Sequence, residues 1–232
     1  MKINKLSIII PVYNEQKTIK EIINRIKNVN LKNIEKEIIV VNDGSTDYTL
    51  SILKNIQGIK LISHNKNMGK GMAIRTGIKN STGEVILIQD ADLEYNPEEY
   101  PNLLAPIISN KSKVVYGSRR LNPNNNYSHL HFYLGGIILT WFTNILYPST
   151  HLTDESTCYK VFTKDILKDI ELKCKRFEFC PEITSKLLKK GIKIHEVPIS
   201  YNPRTIKEGK KINWKDGIYA FWILLKYRIN NK

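Results

Sequence analysis

Short apolar runs alternate with longer segments that carry apolar residues every three or four positions along the first half of the chain. The short runs are typical of strands buried on both faces, and the longer segments are typical of helices with one apolar face. The predicted strands are Leu6–Val12, Glu37–Asn42, Lys60–Ser63, Val85–Gln89 and Lys113–Gly117, and the predicted helices are Glu15–Asn28, Asp47–Asn55, Lys70–Asn80 and Pro97–Ile108. This alternation predicts an α/β fold with a mostly parallel sheet and helices on both faces.

The second half is less regular and contains two apolar segments of moderate length. Residues 132–147 are marginal as a membrane span, which needs about 20 apolar residues. A core helix and a membrane-interface helix both stay open there, and a true span is least favoured. Trp214–Ile229 combines aromatic with basic residues, which is typical of an amphipathic helix at a membrane surface or of one docked on the sheet. We expect residues 1–212 to form one catalytic domain and residues 213–232 a C-terminal amphipathic interface helix of the same unit.

The charge and the cysteines bear on the partners and the compartment of the protein. The formal net charge of +14 is consistent with a basic surface or with attraction to phosphate-bearing partners. Cys158, Cys174 and Cys180 lack a CxxC spacing, so neither a disulfide framework nor a zinc site is predicted, and a reducing compartment fits. The apolar run Leu6–Ile10 is short and precedes no small-residue cleavage site, which favours a first strand over a signal peptide.

Asp90 and Asp92 directly follow the apolar run of the fourth predicted strand. Residues two apart in an extended chain share a face, and the carboxyl ends of parallel strands form the ligand edge of open α/β sheets. Two carboxylates there favour a divalent cation, because buried acids are costly without one. Glu94 continues the series as a possible third metal ligand, or belongs to a solvated acidic turn.

Other polar residues follow the ends of the remaining strands. Asp43 is placed to accept hydrogen bonds from a ribose or base, and Lys70 lies among glycines at a helix start that suits phosphate. Arg119 can clamp a phosphate bidentately, and a surface ion pair is the alternative. The candidate substrate-binding residues of the first half are Pro11, Tyr13, Glu15, Asp43, Lys70, Asp90 and Arg119.

Acids and a basic loop mark the second half. Asp154 and Glu155 are candidates for lining a reacting pocket, although either can cap a turn, and Glu178 is a further candidate because it lies between two phenylalanines. Arg204, Lys207 and Lys210 lie in a basic segment that can hold an anionic acceptor or keep the surface soluble.

Five of these motifs together resemble the family-2 glycosyltransferases, most closely the dolichol-phosphate mannose synthase and polyprenyl-phosphate glycosyltransferase branch. The motifs are Ile9–Glu15, Val41–Asp47, Asn67–Gly71, Asp90–Asp92 and Gly117–Arg119. The resemblance is firm over about the first 120 residues and looser through Thr153–Phe162 and Val197–Lys211. Asn42 departs from a frequent Asp, and Glu94 stands where the mannose synthases often have Gln.

The resemblance implies a GT-A-type, Rossmann-like fold. It implies a nucleoside-diphosphate sugar at Pro11–Glu15 and Asp43, with Mg²⁺ or Mn²⁺ at Asp90 and Asp92. The Gln-x-x-Arg-Trp motif of processive relatives is absent from the sequence, which argues against a polysaccharide synthase.

The predicted reaction is inverting transfer of a hexose from a GDP-mannose-type or UDP-glucose-type donor to a polyprenyl or dolichyl monophosphate. The expected catalytic residues are Asp92, Arg119 and Asp154; the metal and Arg119 neutralise the leaving diphosphate. Arg204, with Lys207 or Lys210, is expected to bind the acceptor phosphate. The enzyme is predicted to be cytoplasmic, peripheral at the cytoplasmic face of an anionic membrane, with no nucleic-acid partner.

Several alternatives stay open. A sugar-hydroxyl acceptor requires a base, for which Asp154 or Glu178 is the candidate. A sugar nucleotidyltransferase is less favoured, because the glycine-rich loop of that class is missing after the first strand. A non-enzymatic polyanion binder is also less favoured. The sugar, the nucleotide base and the oligomeric state are not determined by the sequence.

Overall fold

A computed structural model describes residues 2–127, 130–204 and 214–230, and these form one seven-stranded sheet flanked by helices. The strands are β1 Lys5–Val12, β2 Glu35–Asn42, β3 Lys60–Ser63, β4 Val85–Ile88, β5 Val114–Ser118, β6 Lys160–Thr163 and β7 His195–Pro198. The helices are α1 Ile19–Asn28, α2 Thr49–Lys54, α3 Lys70–Lys79, α4 Tyr100–Ile108, α5 Leu130–Leu146, α6 Lys164–Lys168, α7 Phe179–Lys189 and α8 Trp214–Ile229. The five strands and four helices predicted in the first half are confirmed.

The strand order is β3-β2-β1-β4-β6-β5-β7, and every neighbouring pair is parallel except the two that involve β6. The mostly parallel α/β sheet is therefore confirmed. Strand β6 was not predicted, because it is short and begins with a charged residue, Lys160. That residue is fully buried, with its ammonium 3.4 Å from the centre of the Tyr116 ring and 2.8 Å from the carbonyl oxygen of Glu155.

The central strand β1 packs on both faces, as its unbroken apolar run predicts. Ile8 and Ile10 join the α1 side of the core, whereas Ile9 joins the α7 side. The apolar stripe of α1 contributes four isoleucines that are all fully buried, Ile19, Ile22, Ile23 and Ile26. Burying one such side chain stabilises the fold by about 1.5–3 kcal/mol, so this core fixes the strand ends that carry the polar residues.

Helices α5 and α8 pack against each other beyond the sheet, with the rings of Phe142 and Phe221 5.2 Å apart. Helix α8 also packs on α7, through a hydrogen bond of 2.8 Å from the Tyr227 hydroxyl to Glu182. Both α5 and α8 leave apolar side chains exposed on one side. These are Leu134, Ile138, Trp141 and Ile145 on α5, and Ile218, Tyr219, Trp222 and Ile229 on α8. Within the described ranges, no helix combines the length and apolarity that crossing a membrane requires.

Candidate active site

A cavity of about 1120 Å³ lies beyond the carboxyl ends of β1, β2 and β4 and extends to α5 and α8. Parallel strands end at this edge, so residues distant in sequence converge there. The predicted site residues in its wall are Pro11, Tyr13, Glu15, Asp43, Lys70, Asp90, Asp92, Glu94, Arg119 and Arg204.

The turn after β1 is held by the turn after β2. Asn14 has a φ of 51°, a left-handed conformation that Asn tolerates better than most residues. Its side-chain oxygen accepts a hydrogen bond of 2.8 Å from the backbone N–H of Thr46. The backbone N–H of Glu15 donates to the hydroxyl of Thr49 at 2.9 Å. These bonds fix Glu15 at the cavity wall.

Asp43 faces the cavity and also organises the loop before α3. Its carboxylate accepts hydrogen bonds from the backbone N–H of Met68 at 2.9 Å and of Gly69 at 2.7 Å, and lies 2.7 Å from His64 Nδ1. A contact with the ribose or base of a donor stays a prediction. The structural role in the loop was not foreseen from the sequence.

The glycines at the start of α3 allow close backbone contact instead of cradling a phosphate. The backbone N–H of Gly71 donates to the carbonyl of Arg176 at 2.9 Å, and a side chain at Gly71 would approach that oxygen to 2.8 Å. The helix N-terminus is therefore occupied by protein carbonyls, which differs from the predicted phosphate contact. Lys70 lines the cavity, with its ammonium 2.6 Å from Asp90 Oδ1, and its contact with a donor phosphate stays a prediction. Burial disfavours the charged form of Lys70, but the attraction of the Asp90 carboxylate is the stronger effect and holds the pKa of Lys70 well above its usual value.

Arg204 lies inside the acidic cluster instead of at a separate acceptor site. Its guanidinium is 2.9 Å from Asp92 and 3.0 Å from Glu15. Glu94 accepts the backbone N–H of Arg204 at 2.9 Å and the Tyr201 hydroxyl at 3.0 Å. The structure thus directs Glu94, the predicted third metal ligand, to Arg204 and Tyr201. Among the residues that the structure describes, no three His, Cys, Asp or Glu side chains are grouped so that they could hold a metal on their own.

The charges of the cluster nevertheless suit a divalent cation bound together with other oxygen ligands. Four carboxylates, those of Glu15, Asp90, Asp92 and Glu94, are set against the two cations Lys70 and Arg204, so these six side chains sum to two negative charges when ionised. Burial, and then the charges of Asp90 and Glu94, raise the pKa of Asp92 to about 7. Hard oxygen donors with surplus negative charge are what Mg²⁺ and Mn²⁺ prefer.

Arg119 is held by Asp154. Two nitrogens of its guanidinium contact the two carboxylate oxygens, each at 2.7 Å, and its centre lies 5.1 Å from the Tyr201 ring. Asp154 is fully buried, and although burial opposes ionisation, Arg119 lowers its pKa. A carboxylate engaged on both oxygens and closed off from the cavity cannot reach a substrate hydroxyl, so this geometry does not support the predicted base role of Asp154.

Glu178 lies away from the cavity wall. Its carboxylate accepts the backbone N–H groups of Lys175 at 2.8 Å and Arg176 at 3.0 Å, and so holds the turn that caps α3. This position differs from the predicted substrate contact. Lys207 and Lys210 lie outside the described residues.

Comparison with known proteins identifies the family of the chain that forms this cavity. The family model that matches is glycosyl transferase family 2, over residues 7–171. The chain belongs to glycosyltransferase family 2. The predicted resemblance and the enzyme class are thereby confirmed.

Curated relatives and solved structures agree with this glycosyltransferase assignment. The UDP-N-acetylglucosamine–dolichyl-phosphate N-acetylglucosaminyltransferase of Methanococcus voltae is 30% identical over 244 residues, 96% of this chain and 95% of the relative. The dolichol-phosphate mannosyltransferase of Pyrococcus furiosus is 31% identical over 215 residues, 89% of this chain and 59% of the relative. Glucosyl-3-phosphoglycerate synthase of Mycobacterium tuberculosis, in complex with Mg²⁺ and uridine diphosphate, aligns with a TM-score of 0.75 at 18% identity, over 97% of this chain and 79% of that one. The last comparison supports the GT-A fold.

Two residues in the glycosyltransferase cavity were missed or passed over in the sequence. Tyr201 bridges the two charged groups of the site, because its ring packs on Arg119 and its hydroxyl donates to Glu94. Arg120, passed over in favour of Arg119, lines the cavity and donates to the hydroxyl of Thr140 on α5 at 3.0 Å. The Gly-Ser-Arg-Arg motif contains both Arg119 and Arg120, but its spacing alone did not indicate which contacts each arginine makes.

We expect the stabilisation of the glycosyltransferase by Mn²⁺ to grow between about pH 6 and about pH 8. Asp92 has a folded pKa of about 7, so below that pH a cation must displace a proton, and its affinity falls up to about tenfold per pH unit. Without metal, the stability of the fold changes with pH in the opposite direction. The folded state holds the Asp92 proton more tightly than the unfolded state, so stability is lost as the pH rises from about 4 to about 7. Thermal unfolding with and without Mn²⁺ checks both trends, and a metal effect independent of pH would contradict them.

Proposed function

We propose that the protein is a metal-dependent, inverting glycosyltransferase that moves a hexose from a nucleoside-diphosphate sugar to a polyprenyl monophosphate at a membrane surface. One observation carries this proposal: a single cavity joins the acidic cluster at the strand ends to the apolar pair α5 and α8. A charged donor and an amphiphilic acceptor fit the two ends of such a cavity.

The acidic end suits the donor. Asp90 and Asp92, together with the donor diphosphate, would hold Mg²⁺ or Mn²⁺, and the bound cation would supply charge neutralisation at the leaving group. Arg119, fixed by Asp154, would add a preorganised positive charge at the same place. Arg204 would exchange its contact with Asp92 for the donor phosphates when the cation enters.

The other end suits a lipid phosphate. Its wall is largely apolar and includes Leu139 on α5 and Phe221 on α8. Arg120 lines the cavity beside α5, and its guanidinium donates to the hydroxyl of Thr140 and to the carbonyl of Thr153. An alkyl chain along the helices would therefore bring an anionic head group to a guanidinium. The two relatives above carry dolichyl phosphate or dolichol phosphate in their names.

The positions of the two acids that the sequence offers as bases also favour a phosphate acceptor over a sugar hydroxyl. Asp154 is locked on Arg119, and Glu178 lies away from the cavity. A phosphate monoester is already ionised near neutral pH, so it needs positioning more than deprotonation. Such a reaction agrees with a site that is rich in fixed cations and carboxylates.

The experiment that tests the proposal compares acceptors. Purified protein is given labelled GDP- and UDP-sugars with Mn²⁺, together with either a polyprenyl phosphate or a set of soluble sugars. We expect metal-dependent label in the organic phase, with inverted anomeric configuration in the product. Label found only in water-soluble glycans would refute the lipid acceptor and favour the sugar-hydroxyl alternative.

We expect Gly217→Leu to block long-chain acceptors. A Cβ added at Gly217, in the cavity wall on α8, would meet no atom of the described residues within 4 Å, so we expect leucine to extend into the passage. Leucine is also the better helix former by about 0.8 kcal/mol, so folding should not suffer. In Gly217→Leu, the KM for a long polyprenyl phosphate should rise about tenfold, whereas the KM for a short prenyl phosphate should stay near the wild-type value. In Gly217→Ala, both KM values should stay near wild type. Equal effects on both chain lengths would contradict this acceptor path.

Membrane binding is expected through the exposed apolar side of α5 and α8. Trp141 is 63% exposed and Ile138 is 52% exposed on neighbouring turns of α5. Replacing both by Ser should weaken binding to anionic vesicles by at least about tenfold, because each such side chain contributes about 1.5–3 kcal/mol when buried. Tyr48→Ser is the matched control, since Tyr48 is 75% exposed at the start of α2. Flotation with vesicles measures the effect, and equal loss in the control would contradict it.

A further inference from the structure

Two of the three cysteines lie side by side in the cavity wall, and the reaction proposed above uses neither. Cys158 precedes β6, and Cys180 is the second residue of α7. The Cys180 thiol donates to the carbonyl oxygen of Thr157, the residue before Cys158, at 3.5 Å, the two thiols interact electrostatically, and both residues are partly exposed. Cys174, by contrast, is buried and lies outside the cavity wall. A small oxidant that enters the cavity therefore reaches a thiol pair.

The surroundings of the pair favour a thiolate on Cys180. The residue stands in the first turn of an 11-residue helix, where the partial positive charge of the helix end favours an anion. The neighbouring Cys158 thiol stabilises the charged form of the Cys180 sulfur, and Lys160 and Lys70 add positive charge, so the pKa of Cys180 is lowered although burial opposes the shift. The thiolate is the form that attacks an oxidant.

Cys158 connects the pair to the proposed donor site. The ammonium of Lys70 lies 3.2 Å from the Cys158 sulfur and 2.6 Å from Asp90 Oδ1. The sulfur and the carboxylate therefore share one ammonium group. A change in the position of this sulfur alters the support of Lys70, and through it the charge beside Asp90.

We propose that Cys158 and Cys180 form an oxidation site through which a hydroperoxide closes the donor end of the cavity. The Cys180 thiolate attacks the terminal peroxide oxygen, the O–O bond breaks, and Cys180 becomes a sulfenic acid. The departing alkoxide, or hydroxide from hydrogen peroxide, takes up from solvent the proton that the Cys180 thiol released and leaves as an alcohol or as water. The Cys158 thiol then attacks the Cys180 sulfur, loses its proton and releases water. Two thiols are thereby oxidised to one disulfide while one hydroperoxide is reduced.

The disulfide would reduce donor binding for a geometric reason. Its formation pulls the Cys158 sulfur towards α7 and away from the Lys70 ammonium. It also joins the chain before β6 to α7 by a covalent bond at the cavity wall, which restricts any adjustment to a ligand. This regulation rests on the donor site proposed above, whereas the pairing of the two thiols does not depend on it.

The test treats reduced wild-type protein with hydrogen peroxide and follows donor binding by calorimetry and thiol pairing by peptide mapping. We expect a Cys158–Cys180 linkage, a loss of donor affinity of at least about tenfold, and recovery with dithiothreitol. A bound nucleotide sugar with Mn²⁺ should slow the oxidation, because both thiols line the same cavity.

The matched variants are Cys180→Ser, Cys158→Ser and Cys174→Ala, each compared with its own untreated form. The first two should resist peroxide, and Cys174→Ala should respond as the wild type does. Equal loss of binding in Cys180→Ser, or linkage through Cys174, would overturn the proposal. If reduced wild-type protein binds no nucleotide sugar, the proposed function fails and the regulation with it, while peptide mapping still decides whether the thiols pair.

Discussion

Asp92→Asn is expected to lower metal-dependent sugar transfer by about 10²–10³-fold, the scale on which single electrostatic contacts act in transition states. The change removes one of the two carboxylates proposed to hold the cation while leaving the shape of the side chain almost unchanged. It should not weaken the metal-free fold at pH 8. Burial and the neighbouring Asp90 and Glu94 disfavour the charge on Asp92, so neutral Asn removes an unfavourable interaction.

The combination of lost transfer and an unchanged or higher Tm separates a metal ligand from a structural residue. Asp165→Asn is the matched control, because Asp165 is an exposed carboxylate 2.7 Å from Lys113 and outside the cavity wall. It should change transfer and Tm little. Kinetics at several Mn²⁺ concentrations and thermal unfolding measure both effects. Transfer by Asp92→Asn within a few fold of wild type would refute the role of this carboxylate.

Gly69→Ala is expected to destabilise the fold by about 3 kcal/mol or more, which combines backbone strain with steric overlap. Gly69 has a φ of 97°, and an added Cβ would lie 2.3 Å from the carbonyl oxygen of Lys175. The backbone N–H of Gly69 also donates to Asp43 at 2.7 Å, so any shift that relieves the overlap disturbs the loop at the cavity wall.

Gly191→Ala provides the matched comparison for this second prediction. Gly191 has a φ of 70°, but a Cβ there would meet no atom within 4 Å. Its substitution should cost only the strain of the left-handed conformation, about 1–2 kcal/mol. The free energy of unfolding in denaturant gives both values, and equal losses would show that the contact with Lys175 carries no additional cost.

Arg204 compensates part of the negative charge of the acidic cluster. Its guanidinium is close to Glu15 and Asp92, and its backbone N–H binds Glu94. Buried carboxylates require compensating charge, and Arg204 provides it for Asp92 from a segment more than a hundred residues later in the chain, while Lys70 provides it for Asp90. The sequence singled out Arg204 as a cation for the acceptor phosphate, whereas its partners in the fold are the carboxylates of Glu15, Asp92 and Glu94.

The sequence was informative where the relevant pattern is local. The apolar runs located the strands of the first half, and Asp90 and Asp92 directly after one such run located the ligand edge. It was less informative for the partners of each residue. Nothing within the local pattern indicates that Asp154 binds Arg119, because the fold alone brings these two segments together. Glu178 instead binds backbone groups two and three residues before it, which is the local capping role that the sequence left open.

The sequence by itself determined the α/β class, the order of the polar motifs and their position at the carboxyl ends of strands, since hydrophobic periodicity and strand ends are properties of neighbouring residues. Only the tertiary structure decided which charges meet. In the fold, Lys70 forms an ion pair with Asp90, and Arg204 lies among three acids. Asp154 is buried against Arg119, and one cavity connects the acidic cluster to α5 and α8. Electrostatic partners depend on distance in space, and in this sheet the shortest distances connect residues far apart in the chain.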